Sequence, residues 1–201
     1  PSESNAHPHS SKNRVFIVHN GIIENYLVLK AALSKKGYSF ESQTDSELIA
    51  HLIDSFLNDG KSMIEGMQAL KTSLEGAYAI AAIDKEDSNN FYLARNKSPL
   101  LLGLGKDEYF AASDPLAIGE LTNQFIFLED GDTAAVSAAG LEIFDENQKV
   151  VERDVTKIDI SAEATSKGDY KHFMEKEIYE QPQAIRNTLD CLLYTSDAAD
   201  E

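Results

Sequence analysis

The first part of the chain has one apolar run followed by three stretches with helical periodicity. Residues 15–18 are consecutively apolar, which is typical of a buried strand, and residues 19–21 (HNG) predict a turn after it. Apolar side chains then recur at spacings of three and four, which predicts helices over 24–36, 45–57 and 62–74. Thr44 and Glu47 have the spacing of a capping box, which would begin the second of these helices.

After Gly76 the pattern changes to short strands separated by turn-forming residues. Seven strands are predicted, over 77–83, 91–94, 100–104, 109–112, 125–128, 133–136 and 141–144. Helices followed by antiparallel-looking strands indicate an α+β layered domain. Residues 161–169 are small and polar and predict a linker, and residues 170–189 predict an amphipathic helical segment with a break at Pro182.

Composition narrows the class of protein. The chain has 201 residues, 42% of them hydrophobic and 26% charged, which is enough for one domain with a hydrophobic core. No apolar stretch approaches the roughly 18 residues that cross a bilayer, so we expect no membrane partner. The formal net charge of -16 would repel phosphate backbones, so we expect no nucleic-acid partner either.

Both ends of the sequence carry unusual features. The chain begins at Pro1 without a Met or a signal segment, so it looks like the middle of a longer protein. Residues 191–201 (CLLYTSDAADE), which hold the only cysteine, match the translation of a transposase-based sequencing adapter in one reading frame. We therefore expect a non-native tail there, with the identity of Asp190 also in doubt; a natural terminus is the alternative.

Pattern alone gives no strong catalytic signature. The sequence has no phosphate-binding glycine loop, no paired metal-ligand spacing and no serine nucleophile elbow. His7 and His9 flank Pro8, which should hold the segment extended with the two imidazoles pointing apart. A polar loop is therefore a better interpretation of this segment than a metal site.

Two segments near the start of the chain carry a family resemblance. Residues 5–9 (NAHPH) and 19–26 (HNGIIENY) resemble the class II glutamine amidotransferases. Residues 43–51 (QTDSELIAH), 98–105 (SPLLLGLG) and 176–182 (KEIYEQP) are similar, more narrowly, to the isomerising glutamine–fructose-6-phosphate aminotransferases. The last segment resembles the junction at which the glutaminase domain of that family meets its sugar-phosphate isomerase domain.

The resemblance implies a fold and an activity. The fold would be an incomplete αββα four-layer sandwich of the N-terminal-nucleophile hydrolase type. Residues 1–160 would be the glutaminase domain, 161–190 a linker and the start of the isomerase domain, and 191–201 the non-native tail. The complete enzyme would hydrolyse glutamine and transfer ammonia to fructose 6-phosphate, forming glucosamine 6-phosphate. It would need no metal or redox cofactor, and it would be cytoplasmic and homo-oligomeric.

The resemblance also assigns residues. The side-chain amide of Asn20 and the backbone N–H of Gly21 would form the oxyanion hole that a tetrahedral intermediate requires. Asp45 would bind the α-ammonium group of glutamine together with Gly21, and His7 would lie beside the pocket. Each assignment has a plain structural alternative, because Asn-Gly is common in turns and a carboxylate is common at the start of a helix.

The sequence also departs from the family. The nucleophile there is the thiol of an N-terminal cysteine, followed later by an Arg-Trp-x-Thr-His type motif, and neither occurs in these residues. We therefore expect the 201-residue chain to lack glutaminase activity and to expose an apolar edge. The alternatives are another class II amidotransferase of the purine-pathway type, or a nucleophile-free domain that only binds glutamine.

Overall fold

A computed structural model describes residues 2–158 and 168–197, which contain four α-helices and eleven β-strands. The helices are α1 Tyr26–Lys35, α2 Ser46–Asn58, α3 Met63–Ser73 and α4 Phe173–Asp197. The strands are β1 His9–Ser11, β2 Val15–Ile23, β3 Gly76–Asp84, β4 Asn90–Asn96, β5 Leu101–Leu104, β6 Tyr109–Ala112, β7 Gln124–Phe127, β8 Thr133–Ser137, β9 Gly140–Phe144, β10 Val150–Val151 and β11 Val155–Lys157. The chain divides into two units, Pro1–Asp159 and Ile160–Glu201.

The first unit contains two antiparallel sheets. The larger has seven strands in the order β1-β2-β3-β4-β8-β9-β10, and the smaller has four in the order β11-β7-β5-β6. The longest pairing joins β2 and β3, from Val15 opposite Asp84 to Ile23 opposite Gly76. This pairing holds the middle of the larger sheet in a single register.

Side-chain alternation along the central strands creates two hydrophobic cores. On β3, the buried Tyr78 and Ile80 pack with residues of α2 and α3, whereas Ala79 points to the other face. There it joins Leu93 and Leu102 in a core that residues of both sheets share. The first unit therefore has three layers, with helices on one face of the larger sheet and the smaller sheet on the other, and the α+β prediction is confirmed.

The helices and strands predicted for the first unit all occur in the structure. They are three helices and eight strands, the strand at 15–18 and the seven after Gly76, with ends displaced by a few residues. Three short strands were not predicted, namely β1, β10 and β11. They have two or three residues each, which is too short for side-chain alternation to distinguish them from a loop.

The predicted turn at residues 19–21 is wrong. Strand β2 continues through these residues to Ile23 and stays paired with β3. Gly21 lies opposite Tyr78 with φ of +140°, a backbone conformation that side chains rarely permit. A β-carbon at this position would lie 2.0 Å from the carbonyl oxygen of Ala77, so the close approach of the two strands also requires glycine.

The predicted capping box at Thr44 and Glu47 is also wrong. The N-cap of α2 is Asp45, and its side chain makes no capping hydrogen bond to the helix. The buried Glu47 carboxylate instead accepts hydrogen bonds from the loop before the helix: from the N–H of Glu41 at 2.8 Å, and from the N–H and Oγ of Ser42 at 2.7 and 2.6 Å. Three hydrogen bonds from this loop stabilise the carboxylate more than the single hydrogen bond from the N-cap amide of a capping box would.

An apolar groove of about 460 Å³ opens beside β2 and β3. It is lined by side chains of both sheets, including Phe16, Val18, Ile83, Tyr109 and Phe110. Val18 and Ile83, on two inner strands of the larger sheet, are 46% and 44% exposed.

The second unit contains α4. The helix continues through Pro182, so the predicted break is wrong. Proline removes one backbone donor, and a long helix can be propagated by the hydrogen bonds on both sides of that gap. Most of the predicted linker, residues 161–167, lies outside the described residues. None of the helices in the described part of the chain is both long and apolar enough to span a bilayer.

The interactions of Glu47 predict a pH-dependent contribution to stability. Burial alone would raise the pKa of this carboxyl, but the hydrogen bonds from Ser42 and from the backbone of Glu41 outweigh it and lower the pKa. We expect Glu47→Gln to reduce the free energy of unfolding at pH 7 by about 1 to 3 kcal/mol. Because the folded-state pKa is lowered, the wild-type advantage is complete above the unfolded value of about 4.3 and disappears as the pH falls through the folded-state value.

Urea unfolding at pH 7 and at a series of lower pH values measures this difference. Glu24→Gln, at an exposed position, is the control and should change stability little. A loss at Glu47→Gln that stayed the same across the pH series would show that the carboxylate charge is not responsible.

The backbone at Gly21 predicts a second effect on stability. Gly21→Ala introduces both an unfavourable φ and a contact with Ala77, and we expect it to destabilise the first unit by about 3 kcal/mol or more. Gly37→Ala is the matched control, because Gly37 has φ of +91° and nothing lies within 4 Å of the added carbon. The control should cost only about 1 to 2 kcal/mol. Equal losses in urea unfolding would contradict the close approach of the two strands.

Candidate functional site

The end of β2 and the start of α2 are joined by two hydrogen bonds. The N–H of Ile23 donates to Oδ2 of Asp45 at 2.8 Å, and Nδ1 of His19 lies 3.0 Å from Oγ of Ser46. The two bonds lie on either side of Asn20 and Gly21 in the strand sequence. The predicted oxyanion residues and the predicted ammonium-binding carboxylate are therefore held on neighbouring elements.

Asn20 is exposed at the end of the larger sheet. Its Nδ2 donates a hydrogen bond of 2.8 Å to Oγ of Ser113, which follows β6 in the smaller sheet. A primary amide carries two N–H donors, so this bond uses one of them. The contact orients the Asn20 amide from the loop after β6, and no sequence pattern indicated Ser113.

Asp45 is half-buried immediately before α2. Its Oδ2 accepts from the backbone of Ile23, which fixes the carboxylate beside the last residue of β2. The positive end of the helix dipole favours a negative charge at this position. A carboxylate has more lone pairs than this one bond uses, so it can also accept from a cationic group.

His7 and His9 lie closer together than the sequence predicted. Their rings are 5.3 Å apart in an edge-on arrangement, so the prediction that they point apart is wrong. The buried His9 ring is anchored by Oγ1 of Thr44 at 3.1 Å from its Nε2, and the exposed His7 ring packs against it. Burial, followed by the neighbouring His7, lowers the pKa of His9. Nε2 of His7 lies 3.4 Å from Oγ of Ser46, which brings His7 to the start of α2.

His19 is the residue of this region that sequence reasoning missed. It is only 5% exposed, and burial lowers its pKa, although the nearby Asp45 carboxylate acts in the opposite direction. Val15 and Ile17 are buried on the same strand, so an alternation of two places residue 19 on the inward face. This alternation could have identified His19 from sequence. The predicted strand ended at residue 18, so the alternation was not extended to residue 19.

A cavity of about 410 Å³ lies beside Asn20. Its polar lining comes from His7, His19, Asn20, Ser113 and Asp114, and includes neither Gly21 nor Asp45. Nε2 of His19 is buried and has no hydrogen-bond partner among the described residues. Within residues 2–158 and 168–197, no three His, Cys, Asp or Glu side chains are arranged to hold a metal ion.

This arrangement combines an amide donor, two imidazoles and a carboxylate around one end of a strand pair. The carboxylate suits a cationic group, whereas the amide donor suits a carbonyl oxygen or an oxyanion. The two groups thus offer partners for an amide and for an ammonium at neighbouring positions, with Asp45 outside the lining of the cavity beside Asn20.

Comparison with known proteins gives the family. The model of the glutamine amidotransferase domain matches residues 1–120. The isomerising glutamine–fructose-6-phosphate aminotransferases of Vibrio parahaemolyticus and Shewanella oneidensis are 45% and 46% identical over 94% of this chain. The chain spans about a third of the length of these curated relatives, 31% in each case.

A solved structure supports the fold class. Glutamine phosphoribosylpyrophosphate amidotransferase from B. subtilis, complexed with ADP and GMP, is similar with a TM-score of 0.61 and 24% identity. The similarity covers 74% of this chain and 33% of that one. The fold is therefore the α+β sandwich of the N-terminal-nucleophile hydrolases, and the chain belongs to the glutamine amidotransferase domain family.

Proposed function

We propose that this chain is the glutaminase part of an isomerising glutamine–fructose-6-phosphate aminotransferase. The complete protein would hydrolyse glutamine and transfer the ammonia to fructose 6-phosphate, forming glucosamine 6-phosphate. The observation that carries the proposal is the identity of 45% over 94% of the chain to an enzyme of that name. The complete protein would be cytoplasmic and homo-oligomeric and would use no cofactor.

Asn20 and Gly21 would provide the oxyanion hole. Amide hydrolysis passes through a tetrahedral intermediate whose oxygen becomes negative, and donors fixed before the reaction stabilise that charge. The hydrogen bond from Asn20 to Ser113 supports this role, because it restricts the amide while leaving its second N–H for the substrate. One such donor typically contributes roughly 3 to 4 kcal/mol to the stability of the transition state.

Asp45 would bind the α-ammonium group of glutamine, beside Gly21. Its hydrogen bond to Ile23 fixes the carboxylate at the end of β2, two residues after Gly21. His7 would line the pocket next to the substrate, since it contacts Ser46 and borders the cavity beside Asn20. The Asp45 carboxylate would bind the amino group of glutamine, and the Asn20–Gly21 segment of β2 would bind its side-chain amide.

The 201-residue chain would not hydrolyse glutamine by itself. The family nucleophile is a cysteine thiol, and the only cysteine of this sequence is Cys191, whose backbone belongs to α4 in the second unit. Cys191 also falls in the segment that resembles translated adapter DNA. Binding without turnover is therefore the behaviour to test.

The role of Asp45 predicts a specific loss of binding. Asp45→Asn keeps an acceptor oxygen for the Ile23 N–H but removes the charge that an ammonium group requires. We expect its dissociation constant for L-glutamine to rise about 10- to 100-fold, which is the effect of losing one charge-assisted hydrogen bond. Isothermal titration calorimetry of the purified chain measures it.

Two controls separate this effect from general damage. Asp59→Asn, at the other end of α2, should leave glutamine affinity unchanged. Glutaramate, which is glutamine without its amino group, should bind the wild type and Asp45→Asn equally weakly. Equal glutamine affinities for the wild type and Asp45→Asn would refute the ammonium-binding role.

The absence of turnover is a separate prediction. Incubation of the purified chain with L-glutamine should release no ammonia above a protein-free blank, because no thiol accompanies the Asn20 donor. A coupled glutamate dehydrogenase assay measures the ammonia, and Cys191→Ser serves as the control. Ammonia release that Cys191→Ser abolished would overturn the prediction and assign the nucleophile to Cys191.

A further inference from the structure

We infer that His19 is a positioning residue, which acts through Ser46 to fix the Asn20–Gly21 segment relative to the Asp45 carboxylate. The inference rests on the proposed function, because it concerns the geometry of the proposed glutamine site. The His19 ring borders the cavity beside Asn20, but its Nδ1 is hydrogen-bonded to Ser46, so the residue would act through that serine. Its contribution would be the distance and angle between the oxyanion donors on β2 and the ammonium site at the start of α2.

The first argument is the placement of two hydrogen bonds around the unusual backbone. His19 bonds to Ser46 at 3.0 Å before Gly21, and Ile23 bonds to Asp45 at 2.8 Å after it. Gly21 itself has φ of +140° and remains in register with β3 between these two anchors. The pairing with β3 fixes the segment within the sheet, and the two hydrogen bonds to the start of α2 define its orientation against that helix.

The second argument is burial. His19 and Ser46 are each 5% exposed, so their hydrogen bond is shielded from water. A buried polar group that loses its partner is costly, which makes the paired arrangement strongly preferred over a broken one. The side chain is therefore a rigid connection between the strand and the helix.

The third argument is the position of Ser46 between two imidazoles. Its Oγ lies 3.0 Å from Nδ1 of His19 and 3.4 Å from Nε2 of His7. A hydroxyl can donate to one nitrogen and accept from the other, so a single serine can order both rings. His19 would thereby also help to hold His7 at the border of the cavity.

Two substitutions of His19 test whether its hydrogen bond to Ser46 is required, because only one of them can keep that bond. Asparagine can place a polar atom near the position of Nδ1 and so retain the bond to Ser46, whereas glutamine places its amide near the position of Nε2. His19→Asn should therefore preserve the connection, and His19→Gln and Ser46→Ala should both remove it. His172→Gln, at an exposed position in the second unit, is the matched control.

The first measurement needs no ligand. In ¹H–¹⁵N NMR spectra of the chain, His19→Gln and Ser46→Ala should shift the backbone amides of Gly21 and Ile23 and the side-chain amide of Asn20. His19→Asn and His172→Gln should leave these signals near their wild-type positions. Unchanged signals in both His19→Gln and Ser46→Ala would overturn the inference, as would equal shifts in His19→Asn and His19→Gln.

The second measurement is the affinity for L-glutamine. We expect the dissociation constant to rise about tenfold in His19→Gln and in Ser46→Ala, and the double variant to be no weaker than either. His19→Asn should recover most of the affinity. If the two effects multiplied in the double variant, the residues would not act through one bond and the inference would fail.

The two measurements also separate this inference from the proposed function. A wild-type chain that does not bind glutamine would refute the proposed binding, while the ligand-free spectra would still decide whether His19 positions the segment. If His19→Gln does not fold, Ser46→Ala keeps the imidazole and provides the decisive spectrum; wild-type signals in Ser46→Ala would then overturn the inference.

Discussion

Strands β2 and β3 pair along nine residues each, and this pairing positions everything else in the first unit. One face of the pair packs against α2 and α3, and the other contributes to the core shared by the two sheets. The pairing is close enough at Gly21 that no side chain fits there. The same strand that organises both cores therefore ends in the segment that carries the proposed oxyanion donors.

Helix α2 is the second fixed part, and polar contacts as well as apolar packing hold it. In the middle of the helix, Nδ1 of His51 lies 2.8 Å from Oγ of Ser11, and its Nε2 lies 3.0 Å from the carbonyl oxygen of Ser39. Glu47 is bound by the loop before the helix. These buried contacts specify the rotation of α2 as well as its depth, which matters because Asp45 begins the helix.

The proposed site lies where these two elements meet. Its donors come from a strand end and its carboxylate from a helix start, so neither element could bind a glutamine molecule alone. Ser113 adds a contact from the smaller sheet, which means that three separate parts of the chain determine the orientation of the Asn20 amide and its surroundings. Sites built on regular elements in this way hold their geometry better than sites built on loops.

The sequence alone determined the types of element, their approximate places, the α+β class and, through the segments around Asn20 and Asp45, the family. These features depend on local periodicity and on short runs of residues. Only the tertiary structure decided that residues 19–21 remain in a strand, that Glu47 binds a loop rather than a cap, and that His19 is buried against Ser46. The first and the last depend on partners distant in sequence, on β3 and on α2, and the second depends on the conformation of the loop five and six residues before Glu47. The free energy of those contacts outweighs the local preference for a turn or a capping box.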